Sequence, residues 1–251
     1  MKITIITVCF NSELTIEDTI LSVLEQDYDD LEYIVIDGGS KDKTLNIVGK
    51  YSSRINRIIS EPDEGIYFAL NKGIALASGA VIGILHSDDI YASRNILATV
   101  NKTFEDNGVE AVYGDLQYVA KEDSKNIRRI WIAGPYKTGS FLRGWMPPHP
   151  TFFVLKSCYE KYGVFNTLFH SAADYELMLR LVHKNHIKIG YIPQILVLMR
   201  VGGKSNVSVT NRLQANQEDR LAWKVNNIKP GLFTLTLKPL SKLRQFFPRI
   251  F

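Results

Sequence analysis

The sequence predicts an α/β fold in which a mostly parallel sheet is covered by helices on both faces. Two observations lead to this prediction. Strand-like and helix-like segments alternate through the first ninety residues. The strand-like segments are also almost continuously apolar, which is typical of strands buried on both faces. The 251 residues, 45% of them apolar and 22% charged, are enough for one such domain with a sizeable core.

Seven segments make up the alternating part of the chain. We predict strands over 3–8, 31–36, 57–60 and 81–85, and helices over 15–25, 42–51 and 66–77. In sheets of this kind, ligands bind beyond the carboxyl ends of the strands. Turn and acidic residues follow the predicted strand ends, namely Phe10-Asn11, the turn 37–40, 61–63 and Asp88-Asp89. The sequence therefore predicts a ligand-binding rim at this edge of the sheet.

The second half of the chain is less regular. Strands are predicted over 111–119 and 127–132, followed by a long loop over 134–150 that is rich in Gly, Pro and aromatic residues and has the length of a functional loop. A strand over 151–155, a helix over 172–183, a further strand pair and a polar helix over 210–225 complete the prediction. We expect one domain over 1–227 and a basic helical tail over 228–251.

The bulk composition excludes several classes of protein. A formal net charge of +4 is too mild for a nucleic-acid-binding protein, which usually carries a dense basic stripe. Cys9 and Cys158 are isolated, which suits a reducing compartment and rules out a CxxC zinc site. No signal peptide and no run of eighteen apolar residues is evident, so we expect a cytoplasmic location.

The tail has a charge pattern of its own. No acidic residue follows Asp219, whereas seven basic residues do. Drawn as a helix from Pro239, the tail has apolar residues on one side and Lys242, Gln245 and Arg249 on the other. The pattern suits a helix on an anionic membrane surface through 238–251, a helix packed on its own domain, or a contact in a homo-oligomer. We favour the membrane, at the inner face of the cytoplasmic membrane, and leave the alternatives open.

The pair Asp88-Asp89 has two interpretations. Adjacent carboxylates at a strand end repel each other unless a cation lies beside them, and Mg²⁺ or Mn²⁺ commonly bridges one or two carboxylates to substrate phosphates. The alternative is that Asp88 caps the next helix and Asp89 is solvated. Taken alone, the pair favours the second interpretation.

Three further positions are equally ambiguous when taken singly. Asp37 could bind a base or ribose, or could simply belong to a tight turn with Gly38 and Gly39. Asp174 could be a general base, or an acid placed favourably in the first turn of a helix. His149 could reach a metal or a diphosphate, or could be a loop histidine without a ligand. Neither a GxxxxGK[ST] loop nor a GxGxxG fingerprint is present.

Four stretches together resemble the family 2 glycosyltransferases of the GT-A fold, the inverting bacterial type that builds surface polysaccharides. They are 6–11, 33–40 with Asp42 and Thr44, 61–73, and 85–89, in the family's order and at its usual spacings. The resemblance covers roughly residues 1–200 and is most specific in the first ninety. It implies a GT-A (Rossmann-like) domain with a nucleotide-binding half over 1–92 and an acceptor-binding half over 93–227.

The resemblance also implies roles for individual residues. Asp174 matches the catalytic base, Asp89 the direct ligand of a divalent Mn²⁺ or Mg²⁺, and Asp88 a contact to ribose or metal. His149 matches a position near the diphosphate, and Arg200 begins a loop that borders the active site. The residues implied to bind the nucleotide-sugar donor are Thr7, Val8, Phe10, Asn11, Asp37, Gly39, Asp63, Asn71, Lys72, Ser87, Asp88, His149 and Arg200.

The expected reaction is metal-dependent, inverting transfer of one hexosyl group from a donor, expected to be a UDP-sugar, to a hydroxyl of a saccharide or lipid-linked saccharide. His86 stands where Asn is common, and Ala173 where Glu is frequent. The Gln/Arg-x-x-Arg-Trp signature of processive synthases is missing, so we expect single-sugar addition. Two rivals are a nucleotidylyltransferase, which would need a glycine-rich triphosphate loop absent from 7–11, and an inactive module that binds nucleotide sugar.

Overall fold

The computed structural model describes residues 1–202 and 209–231, together with Thr234 and Lys238. These residues build one nine-stranded sheet with helices on both faces. The strands are β1 Ile3–Cys9, β2 Leu31–Asp37, β3 Arg57–Ser60, β4 Val81–Ile84, β5 Asp89–Tyr91, β6 Ala111–Val119, β7 Ile127–Trp131, β8 Phe153–Leu155 and β9 Ile189–Arg200. The helices are α1 Ile16–Leu24, α2 Thr44–Lys50, α3 Ile66–Leu76, α4 Ile96–Asn107, α5 Lys156–Tyr162, α6 Ala173–Met178 and α7 Val209–Val225.

The strand order is β3-β2-β1-β4-β8-β6-β9-β5, with β7 paired to β6. The first four strands in this order are parallel to one another, and β6 is parallel to β9. The shorter ladders that join β8 to β4 and β6, β5 to β9, and β7 to β6 are antiparallel. The predicted α/β fold with a mostly parallel sheet is therefore confirmed.

Two apolar cores lie on opposite faces of the sheet, and the strands supply both by alternation. In β1, Ile3 and Ile5 point into the core beneath α1, α2 and α4. Ile6 and Val8 point into the other core, beneath α3, α5, α6 and α7. This burial on both sides explains the continuous apolar runs, because every position of such a strand is removed from water.

Gly83 in β4 marks the place where the parallel part meets β8. A Cβ atom built at Gly83 would lie 2.5 Å from Cε1 of Phe153 and 2.9 Å from Cδ1 of Ile5. The missing side chain therefore makes room for the Phe153 ring, which is fully buried between the two parts of the sheet.

The second half departs from the prediction in several elements. A single long strand, β9, replaces the expected strand pair, because it pairs with β6 from Ile189 to Arg200, with register shifts near its middle, and also with β5. Helix α5 and strand β5 had not been predicted. The loop over 134–150 contains short 3₁₀ turns at Phe141–Arg143 and His149–Thr151. The predicted helix over 172–183 begins as α6 and continues as a π-helical segment, Leu179–Lys184.

Of the basic tail predicted over 228–251, the structure describes residues 228–231, Thr234 and Lys238. The helix expected from Pro239 lies outside the described residues. Lys238, the first residue of the segment expected to meet a membrane, is instead buried against the domain and lies 2.6 Å from Asp219 Oδ1. Among the residues that the structure describes, no helix combines the length and apolar character needed to cross a membrane.

Candidate functional site

Three loops at the carboxyl ends of β1, β2 and β4 are tied together by hydrogen bonds. The amide of Asn11 donates to Ser40 Oγ at 2.8 Å, and the amide of Ser12 donates to Thr44 Oγ1 at 2.7 Å. The hydroxyls of Ser12 and Ser87 are 2.8 Å apart. The predicted rim therefore exists as one connected surface, and Asn11 and Ser87 both lie on it.

Asp37 ends β2 and organises the turn that follows it. Its Oδ2 accepts hydrogen bonds from the amides of Gly39 and Ser40, both at 3.0 Å, and from Ser60 Oγ at 2.7 Å. Its Oδ1 accepts from Ser40 Oγ at 2.5 Å. Burial acts to raise the pKa of Asp37, but these hydrogen bonds outweigh it and hold the pKa below its ordinary value. Gly39 completes the turn with φ of +82°, which favours glycine.

The residues expected from β1 differ in how far they reach the rim. Thr7 is fully buried, and its Oγ1 accepts a hydrogen bond from the Tyr33 hydroxyl at 3.1 Å. Val8 is buried in the core beneath α3. Phe10 is 51% exposed just past the strand end. Among these three, Phe10 presents the apolar side chain that a planar base could contact.

Three other expected donor contacts, Asp63, Asn71 and Lys72, are engaged with their own neighbours. Lys72 Nζ lies 2.7 Å from Asp63 Oδ1 and 2.6 Å from Glu61 Oε1. Asn71 donates to the carbonyl of Phe165 at 2.8 Å and accepts from the amide of Phe165 at 2.9 Å. Asn71 thus fixes the loop over 163–172 to α3, and Asp63 and Lys72 form an ion pair beside the rim.

The two carboxylates of the Asp88-Asp89 pair occupy different environments. Asp88 is partly exposed at the rim, and burial raises its pKa above the ordinary value. Asp89 starts β5 and is fully buried, with no hydrogen-bond partner for either carboxylate oxygen among the described residues. Burial and the charge of Asp88 raise its pKa well above the ordinary value. Asp88 is thus the more exposed of the two carboxylates, and the expectation that Asp89 is the direct metal ligand stays a prediction.

Arg200 is placed behind this pair. One terminal nitrogen donates to the carbonyl of Asp88 at 3.1 Å, and the other donates to Asp18 Oδ2 at 2.5 Å. Its side chain is 8% exposed, so it lies under the rim and ties β9 to α1. The residues over 203–205, which the resemblance placed in an active-site loop with Arg200, lie outside the described residues.

His149 and Asp174 face each other on the opposite side of the crevice from β1. His149 Nδ1 lies 3.3 Å from Asp174 Oδ2, and both side chains are partly exposed. The ring of His149 packs at 5.5 Å, centroid to centroid, on the ring of His86, which follows β4. Burial, helped by the nearby His149, lowers the pKa of His86 to about 3, so His86 is neutral at physiological pH.

This arrangement brings the Asp174 carboxylate and two imidazoles together, and His86 lies two residues before the partly exposed Asp88. A partly exposed carboxylate in this setting can accept a proton from a hydroxyl group, and the neighbouring imidazole holds it in place. Among the described residues, no three His, Cys, Asp or Glu side chains are grouped closely enough to form a complete metal site. Asp88 and His149 nevertheless offer the kind of incomplete donor set that Mg²⁺ and Mn²⁺ fill with phosphate oxygens and water.

The sequence had not assigned a role to three residues of this region. Ser12 bridges two loops, His86 packs on His149, and Glu218 holds the turn before α6. The position of His86, directly before the acidic pair, was a usable signal. Glu218 lies more than forty residues from the segment it contacts, so no local pattern could have found it.

Comparison with known proteins shows the family. A family model described as "Glycosyl transferase family 2" matches residues 4–162. An "Uncharacterized glycosyltransferase" of Mycobacterium tuberculosis is 32% identical over 181 residues, which are 71% of this chain and 68% of that protein. A "PGL/p-HBAD biosynthesis glycosyltransferase" of Mycobacterium bovis is 27% identical over 193 residues, 75% of this chain and 73% of that one. The segment matched by the family model contains His149 but ends before Asp174.

Solved structures show the same fold at low sequence identity. TarS 1-349 of S. aureus in complex with UDP superposes with a TM-score of 0.68 at 17% identity, covering 97% of this chain and 72% of that one. The mannosyltransferase PcManGT of Pyrobaculum calidifontis, in complex with GDP-Man and Mn²⁺, gives a TM-score of 0.68 at 20% identity, covering 96% and 69%. These likenesses support the GT-A fold.

Proposed function

The chain belongs to glycosyl transferase family 2, and from this premise we propose that it transfers one sugar, with inversion, from a nucleoside diphosphate donor to a hydroxyl group. The observation that carries the proposal is the Asp174 carboxylate, 3.3 Å from Nδ1 of His149, whose ring packs on His86 two residues before Asp88. An acid so placed can serve as the general base of a direct displacement, whereas a module that only binds nucleotide sugar needs no such group.

In the proposed reaction, Asp174 takes the proton of the acceptor hydroxyl while that oxygen forms a bond to the anomeric carbon. The bond from that carbon to the diphosphate oxygen breaks, and the nucleoside diphosphate leaves with the electron pair. His149 holds the Asp174 carboxylate on the acceptor side, and neutral His86 fixes the His149 ring by packing on it. Direct attack from the face opposite the leaving group inverts the anomeric configuration.

A divalent cation fits the rim, since Asp88 and His149 supply oxygen and nitrogen donors where the diphosphate would lie. When bound, Mn²⁺ or Mg²⁺ neutralises the charge that develops on the departing diphosphate. We assign Asp88 as the carboxylate that faces this cation, and Asp89 as a buried neighbour that shapes the start of β5. The PcManGT complex with Mn²⁺ supports a metal in this fold.

We propose UDP as the nucleotide, with Phe10 against the base and the turn over 37–40 against the ribose. The TarS complexes with UDP and UDP-GlcNAc support this choice, and the GDP-Man complex of PcManGT is the competing one. Asn11, Gly39 and Ser87 lie on the same rim, and we propose that their backbone and hydroxyl groups contact the donor.

A thermal-shift panel of UDP, GDP, ADP and their sugars, with and without Mn²⁺, tests the donor site. Binding to the folded state raises the melting temperature by mass action. We expect a Mn²⁺-dependent rise with UDP or a UDP-sugar that is lost in Asp88→Asn and kept in Asp27→Asn, an exposed carboxylate remote from the rim. No rise with any nucleotide would refute the donor site.

We further propose that the acceptor is lipid-linked and that the protein contacts an anionic membrane surface. A shallow pocket of about 420 Å³ lies beside Trp223. Three exposed basic residues line it, namely Arg220, Lys224 and Lys229. The two acids nearest to them in the sequence, Glu218 and Asp219, are buried and bind other groups of the domain. Their carboxylates therefore do not offset the positive charge of this surface. This basic surface and the basic residues beyond it support contact with acidic headgroups.

Co-sedimentation with phosphatidylglycerol vesicles tests the membrane contact, with phosphatidylcholine vesicles as the comparison. The wild-type chain should pellet with the acidic vesicles, and the triple variant Arg220→Gln, Lys224→Gln, Lys229→Gln should pellet less. Equal pelleting of both chains would remove this surface from the proposal, and pelleting of neither would remove the membrane.

A further inference from the structure

Helix α7 braces the segment that carries Asp174. Its residue Glu218 is buried, and its Oε2 accepts hydrogen bonds from the amides of Ser171 and Ala172, both at 2.9 Å. Its Oε1 accepts from the amide of His170 at 3.2 Å. The first amides of a helix lack partners within the helix, so an acceptor from elsewhere is needed to fix the turn that precedes α6.

The same face of α7 holds the next two residues of α6. Trp223 Nε1 donates to the hydroxyl of Tyr175 at 2.9 Å, and Asn226 donates to Glu176 Oε1 at 2.8 Å. Glu218, Ala222 and Asn226 follow one another at four-residue spacing, which places them on one side of the helix. Glu218, Trp223 and Asn226 therefore hold residues 170–172 before Asp174 and residues 175 and 176 after it, while the amide of Ala173 donates to the Tyr67 hydroxyl at 3.2 Å.

We propose that Glu218 is a positioning residue for the reaction, acting through Asp174. Asp174 lies two residues beyond Ala172, and its carboxylate must stay beside His149 Nδ1 at 3.3 Å. A carboxylate near the start of a helix is also favoured by the helix dipole. Loss of Glu218 frees the turn over 170–172 and lets the Asp174 carboxylate move away from His149.

This inference rests on the proposed role of Asp174 as general base, and it concerns a segment beyond the part that the family model matches. It differs from a general packing role because the Glu218 carboxylate accepts hydrogen bonds from three consecutive amides of the turn before α6 and from the hydroxyl of the same turn, Ser171 Oγ at 3.2 Å.

The test compares Glu218→Ala and Glu218→Gln with Glu32→Ala in the full chain. Glu32 is a matched control, because it is equally buried and accepts from Thr4 Oγ1, Ser78 N and Ser78 Oγ at the far end of the sheet. We measure kcat and the donor KM with UDP-sugars, and the chemical shifts of the His149 ring nitrogens by NMR.

We expect Glu218→Ala to lower kcat by about 10- to 100-fold with the donor KM unchanged, as small displacements of a catalytic group do. Glu218→Gln keeps one acceptor oxygen but turns the other into an NH₂ group that faces an amide donor, so it should restore part of kcat. The His149 signals should move in Glu218→Ala and stay in place in Glu32→Ala.

An unchanged kcat in Glu218→Ala, or an equal fall in Glu32→Ala, would overturn the inference. If Glu218→Ala does not fold, Glu218→Gln replaces it: its NH₂ group faces an amide donor of the turn, so kcat should fall more than in Glu32→Gln, and equal kcat values in the two variants would overturn the inference. If the wild-type chain turns over no nucleotide sugar, the proposed function fails. The His149 signals then decide the positioning role alone, and an unmoved signal overturns it.

Discussion

Substitution of Asp37 by Asn separates a turn-forming role from a ligand-contacting one. Asp37 Oδ2 accepts from Gly39 N, Ser40 N and Ser60 Oγ, and Oδ1 accepts from Ser40 Oγ. In Asp37→Asn, one of the two carboxylate oxygens is replaced by an NH₂ group, which then faces the N–H or O–H donors that the oxygen had accepted from. Hydrogen bonds to a charged group contribute about 1.5–3 kcal/mol each and are not additive. We therefore expect the free energy of unfolding to fall by roughly 3 kcal/mol.

Urea denaturation at several pH values measures this change. The folded-state pKa of Asp37 is depressed, so its contribution is present above the ordinary pKa of 3.8 and is lost as the pH falls through the folded pKa. The wild type and Asp37→Asn should thus differ fully near pH 7 and converge in acid. The exposed Asp27→Asn should change stability by under ~0.5 kcal/mol. A loss of UDP affinity in Asp37→Asn at unchanged stability would refute the turn-forming role.

Three other substitutions test the fold, and one of them, Glu32→Gln, lies at the end of the sheet far from the site. Gly83→Ala should lower the free energy of unfolding by about 1–3 kcal/mol, because its Cβ is forced into the Phe153 ring. In urea denaturation, adding Phe153→Leu should recover part of this loss. An unchanged stability of Gly83→Ala would contradict the close contact. Glu32→Gln should be less stable than the wild type near pH 7 and nearly equal to it in acid. The folded-state pKa of Glu32 is lowered, so the stability that its carboxylate contributes is lost as the pH falls from the ordinary pKa of 4.5 through the folded one. Parallel stability–pH curves for the two chains would contradict this role of Glu32. Asn71→Ala should speed amide exchange over 163–169, through loss of both backbone hydrogen bonds to Phe165, and leave UDP affinity within twofold; weaker UDP binding without faster exchange would make Asn71 a donor contact.

The elements of the first ninety residues could be predicted because their signal is local. Strands β1, β2 and β4 are buried on both faces, so apolar continuity reveals them directly. The parallel order then placed the loops after Cys9, Asp37 and Ile84 at one edge. The rim followed from topology alone, before any side chain was considered.

The second half could not be predicted as well, because its elements depend on distant partners. Strand β5 has three residues and exists through its pairing with β9, more than a hundred residues later. The π-helical segment after Met178 interrupts a helix whose sequence gives no sign of a change. The different environments of Asp88 and Asp89 likewise follow from β5, which turns the second carboxylate inward.

The residues that meet in the candidate site were singled out from the sequence, whereas the contacts that each of them makes there were not. Spacing and resemblance singled out His149 and Asp174 separately, and the structure brings them to 3.3 Å. The resemblance also implied donor contacts for Asn71 and Lys72. In the structure Asn71 holds Phe165 and Lys72 pairs with Asp63, and their contact with the donor stays a prediction. Sequence alone cannot tell a polar group that binds a ligand from one that binds its neighbour.

The most direct test of Asp174 as the base of an inverting transfer is donor turnover and UDP affinity in wild type and Asp174→Asn. UDP release from UDP-sugars is measured with water and with a panel of saccharide acceptors. General-base catalysis contributes roughly 10²- to 10⁴-fold, so turnover should fall by about that factor while the Kd for UDP stays within threefold. Turnover in Asp174→Asn within twofold of wild type would contradict the assignment.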